Sequence, residues 1–374
     1  MNPRVAITGI GLTTHLGKGI KTNWIKVAGE PSSALTQRLD FPDKGMDSFS
    51  RALHLSRSAI SEALDNAHLI TETSRSAMAS IFSASKPLLS NGSWLSPDQI
   101  NHQLYREFGF RGESRTVVAA CATGAYSIAM GASWIEQGLC DIVLAGSVEP
   151  YPVDLILAGF QQLGVVSPSK FMRPFDAQRS GFVLGEGAGA IILENANHAK
   201  ARGASIYGFL SGWALGADGH SAVAFNSNGQ KIARAIEKSL LKAALDATAI
   251  GYVNAHGTAT KINDVLETQA LKHAFGSHSQ RLSISATKSS TGHLLGAAGS
   301  VEFILTVLAL QNQFIPPTRH LEHPDQLCDL DYTPGEGRAI IFDHAISLSF
   351  GFGGPIGVLV VSRGSRRGDL ASLP

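Results

Sequence analysis

Along the chain, short apolar runs alternate with stretches that repeat apolar groups every three to four residues. Val5–Ile7, followed by Gly9 and Gly11, reads as a buried strand and a glycine turn. Ser56–His68 places Ala59, Ile60, Ala63, Leu64 and Ala67 on one side of a helix. Lys86–Phe110 is more polar and carries Asn91-Gly92 and Ser96-Pro97, which predicts an irregular excursion with one short helix. Thr116–Ala120 reads as an apolar strand ending at Cys121, followed by a small-residue helix from Ala122 to Gln137. Asp141–Ala145 is another buried strand, and Phe182–Leu184 and Ala190–Leu193 flank a glycine-rich turn at Gly185–Gly189.

The second half repeats this alternation. Tyr207–Gly212, Tyr252–Ala255, Leu282–Ser285, Arg338–Phe342, Ala345–Ser349 and Gly357–Val361 read as strands. Lys231–Leu245, Asp264–Phe275 and Gly299–Gln311 read as helices. Strands and helices alternate in both halves, which predicts an α/β architecture, duplicated, with a first half over 1–206 and a second over 207–362. Residues 363–374 have no apolar period and are expected to form a flexible tail.

Composition narrows the classes. The 374 residues carry 31 Lys+Arg against 30 Asp+Glu, a net charge of +1, which argues against a protein built to coat nucleic acid. With 44% hydrophobic and 16% charged residues, the chain can fill a core. Glycine, at 39 residues, exceeds the usual ~7%, as expected where backbones approach closely around a site. Three cysteines are too few and too far apart for a disulfide framework or a thiolate zinc site, and they suit a reducing compartment. Met1–Gly9 lacks the form of a signal peptide, and Val301–Leu310 is too short to span a bilayer. No membrane insertion is expected, and the expected location is cytoplasmic.

Chemistry gathers after strand ends. Cys121 sits at a strand-to-helix junction, where free N–H groups and the helix dipole are expected to stabilise its thiolate. Cys140 and Cys328 are read as structural. His256 follows a strand and precedes Gly257-Thr258, while His293 lies between Gly292 and a Leu-Leu-Gly-Ala-Ala-Gly run. A strand-end cysteine with two glycine-embedded histidines suits thioester chemistry. Lys288, five residues before His293, can supply a positive field. Phe350-Gly351-Phe352-Gly353-Gly354 can turn backbone N–H groups into a cavity where an oxyanion forms. The pair Gly9 and Gly11 does not make a dinucleotide fingerprint, because Thr14 takes the third glycine's place.

Taken together, Ala120-Cys121-Ala122-Thr123-Gly124, Arg173-Pro174-Phe175-Asp176, Gly181–Gly189, Asn254-Ala255-His256-Gly257-Thr258, Lys288–Gly299 and Phe350–Gly354 resemble the β-ketoacyl-acyl-carrier-protein synthase family, in its type II elongating branch. The resemblance spans most of the chain. It implies a thiolase-like duplicated layered αβαβα fold with two central sheets, and decarboxylative Claisen condensation of an acyl thioester with a malonyl-carrier thioester to a 3-oxoacyl-carrier thioester. It implies Cys121 as the acyl-carrying nucleophile, His256 and His293 as the decarboxylation pair, Lys288 as their support and Phe352 as the gate. The N–H groups of Cys121 and Phe352 would form the oxyanion hole, with Gly351, Gly353 and Glu302 as supporting residues. No cofactor and no metal are implied. The implied partner is an acyl carrier protein with phosphopantetheine-linked acyl and malonyl groups, docking on a basic patch that includes Arg202. A homodimer is expected, with a heterodimer with a related synthase as the alternative.

Departures from the family pattern keep other roles open. Leu348 and Pro355-Ile356 replace polar residues around the last glycine turn, and the excursion before Cys121 is short. Phe82 is a possible pocket-narrowing residue and His220 a possible rim residue. The alternatives are a specialised polyketide or polyene ketosynthase that needs a companion subunit, and a non-catalytic chain-length or scaffold partner.

Overall fold

The computed structural model describes residues 4–29, 45–221 and 228–364. Ten strands form the main path of one continuous sheet. The first half supplies β1 (Val5–Thr14), β2 (Ala79–Ser83), β3 (Ser114–Arg115), β4 (Ile142–Glu149) and β5 (Gly187–Asn195). The second supplies β6 (Gly208–Ala217), β7 (Tyr252–Asn254), β8 (Ser283–Ser285), β9 (His344–Phe350) and β10 (Pro355–Ser362). The order across the sheet is β8-β7-β9-β10-β6-β1-β5-β4-β2-β3, and the short strand Gly17–Lys18 pairs with β1 as an eleventh member.

Each half runs third strand, second, fourth, fifth, first from its outer edge inward. The second strand is parallel to the third and fourth in both halves, and the remaining pairs are antiparallel. Duplication is thus visible in topology. The expected two central sheets are, however, one: Val5–Ile7 of β1 pairs with Gly208–Leu210 of β6 and joins the halves.

Seven helices matter to the site: α1 (Ser48–Asn66), α2 (Asp98–Glu107), α3 (Thr123–Glu136), α4 (Asp154–Gln162), α5 (Gln230–Ala243), α6 (Asn263–Phe275) and α7 (Ala298–Asn312). The long helices α3 and α7 pack on each other between the two halves of the sheet. Helix α1 covers the outer face of the first half, and α5, itself packed on α6, covers that of the second. The layering is αβαβα. A middle helix meets protein on every side, so it needs no polar face. Accordingly, α7 is buried at every position from Ala298 to Leu310. The window Leu295–Asn312 is apolar enough to cross a membrane, but 89% of it is buried inside the protein.

Several boundaries differ from the sequence reading, each for a packing reason. The glycine turn expected after Ile7 is absent, because β1 continues through Gly9 and Gly11 with only a shift of register between Ile7 and Gly9. A Cβ at Gly9 would lie 2.1 Å from the Ala63 carbonyl oxygen, and one at Gly11 would lie 1.9 Å from that of Ala59. These glycines let α1 lie directly on the strand. The apolar stripe of α1 is where periodicity puts it, but the helix begins at Ser48, capped by the Asp47 carboxylate accepting from Ser50 N–H at 2.8 Å. Of the turn expected at Gly185–Gly189, Gly187–Gly189 belong to β5. The expected tail lies outside the described residues apart from Arg363 and Gly364.

Candidate active site

The strand expected at Thr116–Ala120 does not form. Sheet pairing ends at Arg115, and the chain reaches Cys121 through a one-turn 3-10 helix, Ala120–Ala122, that leads into α3. Ala120 has φ 48°, left-handed backbone that costs a non-glycine residue about 1 kcal/mol. Thr123 bolts this elbow: its hydroxyl donates to Ala120 O at 2.8 Å and accepts from Ala119 N–H at 2.9 Å. The second half repeats the device, with Leu295 at φ 46° opening the turn Leu295–Ala297 before α7. The two elbows meet at glycines. A Cβ on Gly124 would lie 2.3 Å from Ser300 N, and one on Gly299 would lie 2.6 Å from Ala125 N.

Cys121 is 7% exposed. Burial pushes its thiol up to about 12, against the nearby Lys288 and Lys86 ammonium groups and a hydrogen bond from Phe352 N–H, while Glu149 adds to the upward push. Burial thus works against the thiolate that the helix terminus at Cys121 is expected to favour.

Two residues past β7, His256 is held by a carboxylate. Glu267 of α6 accepts N–H bonds from His256 at 2.6 Å and Gly257 at 2.8 Å. Burial raises Glu267 to about 8. Lys288, fully buried, places Nζ 3.2 Å from His256 Nδ1 and 2.5 Å from Glu302 Oε1. An ammonium only donates, so His256 Nδ1 is the acceptor and the ring proton sits on Nε2. Burial and the Lys288 charge hold both His256 and His293 well below the usual histidine range, so both rings are neutral. Glu302 is pushed by burial to about 7.

His293 is fixed by its backbone, its N–H donating to Val183 O at 2.7 Å and its carbonyl accepting from Gly185 N–H at 3.1 Å. The His256 and His293 rings stand edge to face, centroids 5.6 Å apart, with Phe350 5.1 Å from the first and Phe182 5.0 Å from the second. Cys121, His256, His293 and Phe352 line one cavity of about 320 Å³, whose other walls include Leu163, Val165, Phe182, Ile262 and Leu266. Thr258 and Thr260 supply hydroxyls to it. A buried thiol, a backbone N–H aimed at it and two neutral imidazoles in a mostly apolar chamber can carry an acyl group and stabilise charge that develops on an oxygen.

Other expectations separate here. The N–H of Gly351 is taken by Pro355 O at 3.0 Å, whereas the Phe352 N–H bonds to the sulfur. Gly351 is instead needed for clearance, since a Cβ there would lie 3.0 Å from Cys121 N. Gly353, at φ 84°, makes the turn. Phe82 belongs to the core cluster beneath α1 and does not line the cavity. His220 is exposed and also lies off the lining. Arg202 is engaged by Glu194 at 2.6 and 2.7 Å and is no free docking cation. Sequence reasoning missed Glu149 and Lys86. The one signal was an acid closing the run Ile142–Glu149, which before it is apolar or small throughout.

Comparison with known proteins agrees with this geometry. Family models for the beta-ketoacyl synthase N-terminal and C-terminal domains match residues 83–199 and 207–322. The chain is 43% identical to a 3-oxoacyl-[acyl-carrier-protein] synthase 2 of Synechocystis over 66% of its own length and 60% of that protein's. It is 40% identical to a putative polyketide beta-ketoacyl synthase 1 of Streptomyces halstedii, over 72% and 65%. These matches span less than two thirds of the relatives' lengths. A 3-oxoacyl-[acyl-carrier-protein] synthase 2 of Staphylococcus aureus is 31% identical over 97% of this chain and 99% of its own. Among solved structures, the ishigamide ketosynthase/chain length factor superposes with TM-score 0.88 at 28% identity, covering 98% of this chain and 100% of that one. A chain from the complex of a type II PKS acyl-carrier protein with its ketosynthase bound to the hexaketide gives 0.86 at 26%, with the same coverage.

Proposed function

The chain belongs to the β-ketoacyl synthase family, and from that premise we propose that it catalyses decarboxylative Claisen condensation between an acyl thioester and malonyl-acyl-carrier protein. The convergence of Cys121, His256 and His293 on one cavity, with Lys288 behind His256, carries this reading.

In the first step Cys121 Sγ bonds to the acyl carbon and the carrier's C–S bond breaks. The thiol proton ends on the departing carrier sulfur, so the transfer is proton-neutral. Malonyl thioester then loses carbon dioxide, and the electron pair of the broken C–C bond becomes an enolate. Its oxygen accepts from Nε2–H of His256 and of His293. The α-carbon attacks the acyl carbon, and the new oxyanion is held by the N–H groups of Cys121 and Phe352. Collapse expels the Cys121 sulfur, which takes one proton from water. Neutral imidazoles suit this role because they donate without having to lose a charge.

The partner on this reading is an acyl carrier protein bearing acyl and malonyl groups, and the protein works as a homodimer in the cytoplasm. A second reading, a specialised polyketide or polyene ketosynthase with a companion subunit, is favoured by Leu348 and Pro355-Ile356 beside the Phe350–Gly354 turn. It is favoured too by the likeness to polyketide ketosynthases.

Intact-mass analysis with a panel of acyl-carrier thioesters, with and without malonyl-carrier protein, tests both. Acyl mass on Cys121 and malonyl-dependent 3-oxoacyl product support condensation, and Cys121→Ala should abolish both signals. Loading without product, corrected by adding a related synthase, supports the companion-dependent reading. No loading across the panel rejects catalysis and leaves a chain-length or scaffold partner.

A further inference from the structure

Glu149 ends β4 with no solvent exposure, yet its carboxylate is fully engaged. Oε2 accepts from Gly296 N–H at 3.1 Å, from Ser85 N–H at 3.3 Å and from the Ser85 hydroxyl. Oε1 pairs with Lys86, whose side chain is 19% exposed. The duplicated topology gives this cluster a meaning. Ser85 stands two residues beyond β2, the offset at which His256 stands beyond β7. Gly296 follows left-handed Leu295 just as Cys121 follows left-handed Ala120. The Glu149 carboxylate is therefore bound at the pseudo-twofold counterpart of the reaction centre, by the N–H that corresponds to that of Cys121.

The two places lie back to back, since the Ala120–Ala122 turn packs on the Leu295–Ala297 turn. Gly296 also comes three residues after His293. Glu149 grips the loop that delivers His293 as Glu267 grips the loop that delivers His256. Charge separates the two clamps, because only Glu149 holds a lysine in a direct ion pair.

We propose that the Lys86–Glu149 pair is a positioning element of the site, in which the carboxylate holds the His293 loop and the lysine balances its charge so that Cys121 keeps its reactivity. This rests on Cys121 being the nucleophile. His256, His293 and Phe352 share the cavity with the sulfur, with Lys288 and its partner Glu302 behind His256. The Lys86–Glu149 pair reaches the sulfur from behind, through Gly296 in the turn that packs on Ala120–Ala122. Burial is the dominant influence on the thiol; Lys288 opposes it, Glu149 reinforces it, and Lys86 opposes it. Losing one member of the pair exposes the field of the other.

The test is the pH profile of Cys121 alkylation by iodoacetamide on the intact chain, read by mass on the Cys121 peptide. It needs no carrier protein, so it reports independently of the condensation reading. Lys86→Met should move the profile to higher pH by about one unit, about tenfold slower labelling at fixed pH. Glu149→Gln should move it the opposite way, and the double variant should return close to the parent. Lys86→Arg, which keeps the charge, should also track the parent, and this pair of lysine variants decides the matter should Glu149→Gln not fold. Shifts in the same direction, or a Lys86→Met profile equal to that of Lys86→Arg, would overturn the proposal.

Discussion

Lys288 holds its ammonium 3.2 Å from Nδ1 of His256 in a place where neither residue is more than 3% exposed. Such a contact is worth having only if the histidine is neutral, since a cation beside an imidazolium would repel it. The lysine thus does two things at once: it keeps His256 uncharged and leaves Nε2 as the donor.

Replacing Lys288 by Met removes the donor to Nδ1 and so the hold on the tautomer, while burial still keeps the ring below the usual histidine range. We expect carbon dioxide release from malonyl-carrier protein to fall by about 10²-fold or more, the usual cost of losing a preorganised donor. Loading of Cys121 should fall much less. Rates of acylation and decarboxylation measured separately on one preparation check this split; equal losses would place Lys288 in scaffolding instead.

The buried ionisable groups also set the pH range of stability. Glu267, raised from an ordinary 4.5 to about 8, binds its proton more tightly folded than unfolded. Its contribution is fully present below about 4.5 and is lost as pH rises through about 8. His256 and His293 act in the opposite sense: lowered when folded, they contribute above 6.5 and lose that contribution as pH falls. Glu302, raised to about 7, acts like Glu267, so melting temperature should peak on the mildly acidic side, between about 4.5 and 6.5, and decline on both sides. In Glu267→Gln the decline between neutral pH and about 8.5 should shrink, which calorimetry across pH resolves.

At the crossing of α3 and α7, Gly124 has no room for a methyl group. Gly124→Ala would set a Cβ 2.3 Å from a backbone nitrogen and should destabilise the fold by about 3 kcal/mol. In α4, Gly159 has nothing within 4 Å of the same position. Gly159→Ala should stabilise its helix by about 0.5–1 kcal/mol. Denaturant unfolding of both variants gives the contrast, and similar values for the two would show that the crossing can relax.

Much of this was legible before any coordinates. His256 stands two residues past a strand, while Cys121 and His293 sit among small residues in the turns that lead into α3 and α7. This local pattern survives folding because the loops beyond strand ends in α/β sheets open onto a shared crevice. The periodicity of α1 placed Ala59, Ile60, Ala63 and Leu64 inward without any tertiary knowledge. Strand lengths were not legible, because Gly9 and Gly11 look like a turn until α1 is laid on them. Nor was the burial of Cys121, since a helix terminus is a local feature and desolvation is not. Glu149 was missed for the same reason. Its partner Gly296 is 147 residues away, and no spacing rule links the two.

The repeated strand order has a consequence for how such proteins can be recombined. One repeat brings the nucleophile and the other brings both histidines, so neither half inherits a working centre alone. A chimera joined between Ala204 and Gly208 would contain every reacting group and could still be inactive, because the elbows of Cys121 and Gly296 must interlock through Gly124 and Gly299. Compatibility between halves of different origin is decided at that crossing, by clearances smaller than a methyl group.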